Sequence, residues 1–399
     1  MMSEPIPTFF AMDFFCGAGG TTRGLIDAGG YVLAGIDCDP SCETTYVANN
    51  ANLTLDLAAP LYLSMDVFPS GPEHPKGQQF ALKFKVESLL SEVAVKWPGV
   101  PVIFAICAPC QPFTKLSRKE LTDERKLKRL RDSSLLIEAA KFVEWFRPQA
   151  VLSENVLGIS SLRYGGVWQQ FEQKLQSLRY VTGSKLVCAS RFGVPQNRKR
   201  SILLAVRQES FAGGHAANLL GEGLTVPDRD PEGKTVTVRE AIGHYPPIGA
   251  GSSDLHVPNH RTRALSELNV KRISLAGPGQ SNAYLNDTPY GDLSLPCHRR
   301  LTEKLKDPCF TDVYTRMHPD RPAPTITTKC HSISNGRFGH YDTNQNRGIS
   351  VREAAALQSF PDNYIFYPES EVGATARMVG NAVPPKLAQY YATYLRSLL

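Results

Sequence analysis

A chain of 399 residues with 42% apolar residues can bury a sizeable core and is long enough for one large domain plus a smaller one. No apolar run approaches the roughly 18 residues of a membrane span, the start Met1-Met2-Ser3-Glu4-Pro5-Ile6-Pro7 lacks the basic and apolar segments of a secretory signal, and nine scattered cysteines do not form a disulfide scaffold. The expectation is a soluble cytoplasmic protein with free thiols, and the net charge of +6 permits a polyanionic partner without naming one.

Taken in chain order, Phe9–Phe15, Tyr31–Asp37, Val102–Ile106, Ala150–Ser153 and Ser201–Val206 read as strands. Thr21–Ala28, Ser41–Asn49, Phe84–Val95, Ser133–Phe146 and Val167–Leu178 read as helices between them. This alternation predicts an α/β fold, with a mainly parallel sheet covered by helices on both faces. Ligands of such sheets lie at the carboxyl ends of the strands, where the glycine turn after Phe14, Asp37, Cys110 and Glu154 all fall. From about Gln208 the texture changes: residues 208–320 are rich in Gly, Pro, Asn, His and Arg and read as a loop-rich second domain. Helical order resumes in Ser350–Phe360 and Pro384–Leu398. The expected division is therefore 1–207 completed by 321–399, with 208–320 separate.

Four islands carry chemistry. In Asp13-Phe14-Phe15-Cys16-Gly17-Ala18-Gly19-Gly20 a strand passes through glycines into a helix, which lets the backbone approach a ligand closely. The glycines do not follow the dinucleotide spacing, and a packing turn is an equally common origin for such a run. Asp37 stands where an acid holds ribose hydroxyls. Asp66, after Tyr62–Met65, is placed to read an adenine amino group, so the set implies an adenosine cofactor without a phosphate requirement.

The second island is Cys107-Ala108-Pro109-Cys110-Gln111-Pro112-Phe113-Thr114, where Cys110 at a strand end is a nucleophile candidate through its thiolate. Cys107 and Cys110 also form a Cys-x-x-Cys, open to a redox reading, and a buried inert thiol is the plainer alternative. No cysteine or histidine spacing closes a zinc set, so no metal is expected. The third is Ser153-Glu154-Asn155-Val156, in which a buried acid would hold its proton more tightly and could donate it. The fourth is Gln196-Asn197-Arg198-Lys199-Arg200, where strand alternation would put Arg198 and Arg200 on one side. Between Lys115 and Arg131 eight basic residues face three acidic ones, either a solvated helix face or a phosphate-binding segment.

In this order the islands resemble the DNA (cytosine-5)-methyltransferase family, together with Arg321-Pro322-Ala323-Pro324-Thr325-Ile326-Thr327-Thr328 and Gly380-Asn381-Ala382-Val383-Pro384-Pro385. The resemblance spans the chain apart from about 208–320. It implies a Rossmann-like S-adenosylmethionine-dependent methyltransferase fold with a smaller loop-rich target-recognition domain at 208–320. It also implies S-adenosylmethionine as cofactor, held by Phe15, Gly17, Gly19, Gly20, Asp37, Asp66 and Asn381. Cys110 would attack C6 of a flipped-out cytosine in double-stranded DNA, Glu154 would bond N3 and the exocyclic amine, Arg200 would hold O2, and Arg198 would support the nucleophile. The basic segment after Cys110 corresponds to a loop that closes over DNA. One chain holds every motif, so a monomer is expected. A cognate restriction endonuclease acting separately is the partner that family habit suggests.

The sequence departs from the family at Cys107, where glycine or serine is usual, at Ala108 for proline, at Thr114 for serine, and at Cys38 for a larger residue against the adenine. Two rivals stand beside this reading. Pro112-Phe113-Thr114 and Cys309-Phe310-Thr311 echo the branch of the family that methylates tRNA, but Asp312–Met317 runs into the Arg-Pro-Ala-Pro motif of bacterial DNA enzymes. A catalytically inactive DNA-binding scaffold would be marked by loss of the nucleophile or of Glu-Asn-Val, and both are present.

Overall fold

The computed structural model describes residues 6–51, 57–109, 123–160, 166–212, 223–305 and 310–399, with the main chain alone at 123–133, 160, 301–303 and 305. Two compact units emerge: Met1–Phe192 with Lys199–Gly233 and Val383–Leu399, and Gly193–Arg198 with Lys234–Ala382. Residues 321–382 thus pack with 234–320, where Val238 and Arg239 donate their N–H groups to the carbonyls of Arg321 and Pro319.

The first unit is an α/β layer structure. Its strands are β1 Phe10–Phe14, β2 Tyr31–Asp37, β3 Leu61–Ser64, β4 Val102–Ile106, β5 Ala150–Val156, β6 Tyr180–Cys188 and β8 Lys199–Arg207. They form one sheet in the order β3-β2-β1-β4-β5-β8-β6. All neighbours are parallel except β8, which runs against β5 and β6. The strand order reverses at β1 and β4, so the carboxyl ends of these strands flank the crevice in which doubly wound sheets bind ligands. β1 is buried at every position because it lies mid-sheet with helices on both sides, and its residues are apolar except for Asp13. Phe14 packs on Phe104 and Phe142 at ring separations of 5.3 and 5.1 Å.

The helices are α1 Gly20–Asp27, α2 Glu43–Asn49, α3 Gln79–Lys96, α4 Asp123–Phe146, α5 Val167–Ser177 and, at the chain's end, α11 Pro385–Leu398. α1 and α11 touch backbone to backbone: a Cβ on Gly24 would lie 2.4 Å from the carbonyl oxygen of Pro385 and 2.7 Å from Ala388 Cβ. Only glycine allows that approach.

The second unit contains α6 Val238–Ile242, α7 Glu267–Ser274, α8 Pro296–Leu305, α9 Val351–Leu357, α10 Val372–Asn381 and the short parallel pair β7 Gln196–Asn197 with β9 Ala323–Pro324. Thr237 and Ser350 open α6 and α9 with reciprocal capping boxes to Glu240 and Glu353. With little regular structure, many carbonyls need side-chain donors. Buried arginines supply them: Arg316 donates to the carbonyls of Ala276, His340, Asp342 and Gln345, and Arg352 to those of Asp362 and Tyr364. No helix among the described residues is long and apolar enough to cross a membrane.

Candidate active site

At the end of β1 the chain turns sharply. Phe15 has φ 63°, and its N–H and that of Cys16 both donate to the Ile36 carbonyl, at 2.7 and 3.1 Å. Gly17 and Gly19 follow at φ 50° and 89°, a conformation that side chains disfavour. Gly19 caps α1 and Gly20 is its first residue. Asp37, the last residue of β2, accepts the Gly17 N–H at 2.9 Å and the Asp39 N–H at 2.9 Å, tying the turn to the neighbouring strand end. Burial pushes the Asp37 pKa up, against those donors. The register Asp37↔Ser64 sets Asp66 just past the adjacent strand end, where its carboxylate accepts the Phe68 N–H at 3.1 Å. Phe15, Gly17, Gly19, Gly20, Asp37 and Asp66 thus gather on the carboxyl edge of β1, β2 and β3.

These residues fit an adenosyl group. A Cβ on Gly17 would meet nothing within 4 Å, leaving open space beside the turn. Two acids at successive strand ends suit hydroxyls and an amino group, and the turn Phe15–Gly20 contains no cation for a phosphate.

Sequence reasoning passed over Asp13, although an acid inside the run Phe9–Phe15 is itself a signal. Its side chain is fully buried, and Thr22 Oγ1 donates to Oδ2 at 2.7 Å. Oδ1 has no hydrogen-bond partner, and burial pushes the pKa up to about 7.

Beyond β1, strand β5 does two jobs with alternate side chains. The β4–β5 ladder ends at Ala105↔Leu152, and beyond it side chains take over the bonding. Ser153 Oγ donates to the Ile106 carbonyl at 2.6 Å, and Asn155 Nδ2 to the Ala108 carbonyl at 3.0 Å, both buried. They hold the segment leading to Cys110. Cys110 itself, with Gln111–Thr114 and the basic positions 115–122, lies outside the described residues. The remainder of the basic segment, 123–131, forms the start of α4, ahead of the predicted start at Ser133. Cys107 N–H donates to the Phe14 carbonyl at 3.4 Å. Burial, helped by the carboxylates of Glu154 and Asp13, pushes its thiol pKa well up, so it stays protonated.

Glu154 points to the opposite side from Ser153 and Asn155. The antiparallel register Glu154↔Ile202 and Val156↔Arg200 makes Glu154 and Arg200 diagonal neighbours on one face. Arg200 Nε lies 2.7 Å from Glu154 Oε1, with both side chains about nine-tenths buried. Neither atom has the alignment of a linear N–H···O bond, so the contact is an ion pair with geometry to spare for another acceptor or donor.

Arg198 is different. It falls between β7 and β8, where the strand alternation expected to align it with Arg200 is interrupted. It belongs to the second unit, buried, and its guanidinium donates to the carbonyls of Ile326 at 2.9 Å, Ala382 at 3.2 Å and Gly380 at 3.4 Å. Gln196 works beside it, donating to Gln358 Oε1 at 2.7 Å and accepting the Ile326 N–H at 2.7 Å. Within this unit the fourth island therefore clasps the two late motifs. A Cβ on Gly380 would strike Thr327 at 2.3 Å, which explains the glycine there. Asn381 ends α10, exposed. Among the described residues no three His, Cys, Asp or Glu cluster as metal ligands, and seven cysteines are free thiols.

Comparison with known proteins agrees with this architecture. Residues 90–397 match the family model of C-5 cytosine-specific DNA methylases. The type II methylase M.HgiDII of Herpetosiphon aurantiacus is 32% identical over 390 residues, covering 97% of this chain and 95% of that protein. The type II methyltransferase M1.HphI of Haemophilus parahaemolyticus is 29% identical, over 96% of this chain and 85% of its own. Among solved structures, a prophage-encoded E. coli DNA modification methyltransferase superposes with a TM-score of 0.64 at 19% identity, covering 98% of this chain and 99% of that one. The S. pombe Dnmt2 methyltransferase superposes at 0.53 and 14%, covering 97% and 98%. These two likenesses carry the fold alone. The chain belongs to the C-5 cytosine-specific DNA methylase family and is a DNA (cytosine-5)-methyltransferase.

Proposed function

We propose that this chain methylates C5 of cytosine within a short sequence of double-stranded DNA by covalent catalysis through Cys110. The observation that carries the reading is strand β5, whose Ser153 and Asn155 bond the carbonyls of Ile106 and Ala108, just ahead of Cys110 in the chain, while Glu154 meets Arg200. On this reading Cys110 would join the acid and the cation beyond the end of β5. The target ring must leave the duplex stack, because C6 is shielded there.

The Cys110 thiolate adds to C6, and the electron pair displaced toward C5 makes that carbon nucleophilic. Glu154 bonds N3 and the exocyclic amine, and Arg200 the O2, stabilising charge that the ring gathers. S-adenosylmethionine, the family's cofactor, supplies the methyl group when bound. Phe15, Gly17, Gly19, Gly20, Asp37 and Asp66 would hold it, with Asn381 assigned by resemblance. Loss of the C5 proton then drives the electrons back and expels Cys110 as thiolate. Arg198 acts at a distance, through the clasp it makes with Ile326, Gly380 and Ala382.

Residues 208–320 would recognise the target, with 1–207 and 321–399 supplying the chemistry, and the basic segment after Cys110 would close on phosphates. A single chain would suffice, in the cytoplasm, with a restriction endonuclease of the same specificity as a separate partner. The test is transfer of tritiated methyl from S-adenosylmethionine to unmethylated phage λ DNA. Counts in 5-methylcytosine, lost with Cys110→Ser, are expected. Counts in RNA alone, or in no nucleic acid, would overturn the reading.

A further inference from the structure

Helix α3 carries apolar residues on two opposite faces, and the core of the first unit takes up only one of them. Leu82, Val86 and Val93 are buried in that core. On the other face Phe80, Phe84 and Val95 are 62%, 67% and 85% exposed. At 3.6 residues per turn these three and the exposed Ser91 share a strip about 60° wide that runs roughly 22 Å along the helix. Two phenylalanines one turn apart meet on a helix surface, so they form a patch and not scattered apolar positions. Trp145 of α4 extends it, with its ring 6.4 Å from that of Phe80 and Lys83 Nζ over it at 5.1 Å.

The strip is complementary to itself. Two copies of α3 laid antiparallel about a two-fold axis between Ser88 and Leu89 make every contact twice. By the helical rise, Val95 of one copy comes level with the gap between Phe80 and Phe84 of the other, and Phe84 with the gap between Ser91 and Val95. A knob meets a hole in both directions, and the small, exposed Ser88 at the centre lets the helices approach closely.

Charge favours the same arrangement. Lys85 and Glu92, both exposed, flank the strip on one side. In the antiparallel pair Lys85 stands opposite Glu92 of the second copy, and Glu92 opposite Lys85 of the second copy. On the other flank the exposed Glu87 meets its own copy near the axis, which offsets part of that attraction.

We propose that α3 is a self-association face, on which two copies of this chain pair antiparallel about a two-fold axis. Each copy keeps a whole catalytic site, so the pairing goes beyond the methylation reading and does not depend on it. A single helix pair covers less surface than the roughly 1,200 Å² of small stable interfaces, so the dimer is reversible and forms in the micromolar range.

The test is sedimentation velocity of the full chain without DNA, over a dilution series spanning the micromolar range. A monomer–dimer equilibrium is expected. Phe84→Asp puts a charge into both gaps and should leave only monomer. Lys85→Glu and Glu92→Lys should each weaken the dimer about tenfold or more, since each turns two attractions into repulsions. The two together should restore it, because the pairs are then exchanged and not lost. Glu87→Gln should tighten it. All these side chains are exposed, so urea midpoints and methyl transfer per chain should match the parent. A chain that stays monomeric throughout, leaving the face to a different protein, would overturn the proposal. So would a dimer that survives Phe84→Asp, or one that the combined exchange fails to restore.

Discussion

Replacing Asp13 with asparagine isolates a charge that the core of the first unit resists. The carboxyl is fully buried, receives one hydroxyl bond from Thr22, and has its pKa raised from 3.8 to about 7. Between those values the folded chain keeps a proton that the unfolded chain has released. Stability is therefore fully present below pH 3.8, falls as the pH rises, and is lost by this amount above about pH 7. At about 1.4 kcal/mol for each pH unit, the full window is worth roughly 4 kcal/mol. Asparagine keeps the shape and the acceptor for Thr22 but cannot ionise. The stability of Asp13→Asn relative to the parent should therefore grow by roughly 3 kcal/mol between pH 5 and pH 8. Urea denaturation of both proteins across that range measures it. Parallel curves, with a difference independent of pH, would mean instead that Asp13 is ionised and well solvated.

Three further substitutions test the neighbouring geometry. Glu154→Ala strands the Arg200 guanidinium, whose side chain is 9% exposed, and should cost roughly 3–5 kcal/mol in urea denaturation; a loss below about 1 kcal/mol would mean the pair behaves as an exposed one. Asn155→Ala leaves the Ala108 carbonyl without its donor and should cost roughly 1–3 kcal/mol. Because the Cys110 segment is loosened, kcat for methyl transfer should fall while KM for S-adenosylmethionine holds; an unchanged kcat would show that the bond does not position the nucleophile. Gly24→Ala sets a methyl group 2.4 Å from the Pro385 carbonyl and should destabilise by about 1–3 kcal/mol, read as a lower urea midpoint. An unchanged midpoint would show that α1 and α11 can part without cost.

The strands that build the candidate site were legible because they are central. β1, β2, β4 and the first half of β5 carry predominantly apolar runs, despite Asp13 in β1 and Asp37 at the end of β2, the mark of strands covered on both faces. β6 escaped notice because it is an edge strand whose middle, Gly183-Ser184-Lys185-Leu186, is largely exposed. α3 begins at Gln79 rather than Phe84, since the exposed Phe80 and Phe84 blur its apolar stripe.

Among the site residues, the glycine turn, Asp37 and Asp66 could be placed from local order alone. The work of Ser153 and Asn155 could not, because their partners are main-chain carbonyls 47 residues away. Arg198 shows the same limit more sharply. Its acceptors Ile326, Gly380 and Ala382 lie 128 to 184 residues along the chain, and no periodicity in Gln196–Arg200 reports them. The loop-rich texture after Gln208 was visible, but the buried arginines that satisfy its carbonyls look in sequence like surface charge.

Covalent methylation through Cys110 is open to base-resolution bisulfite sequencing of DNA from a methylation-deficient host expressing this chain, beside the Cys110→Ser variant. Conversion-resistant cytosines confined to one short sequence, and absent with the variant, are expected. Uniform conversion with abundant folded protein, or resistance that persists without the Cys110 thiol, would contradict it.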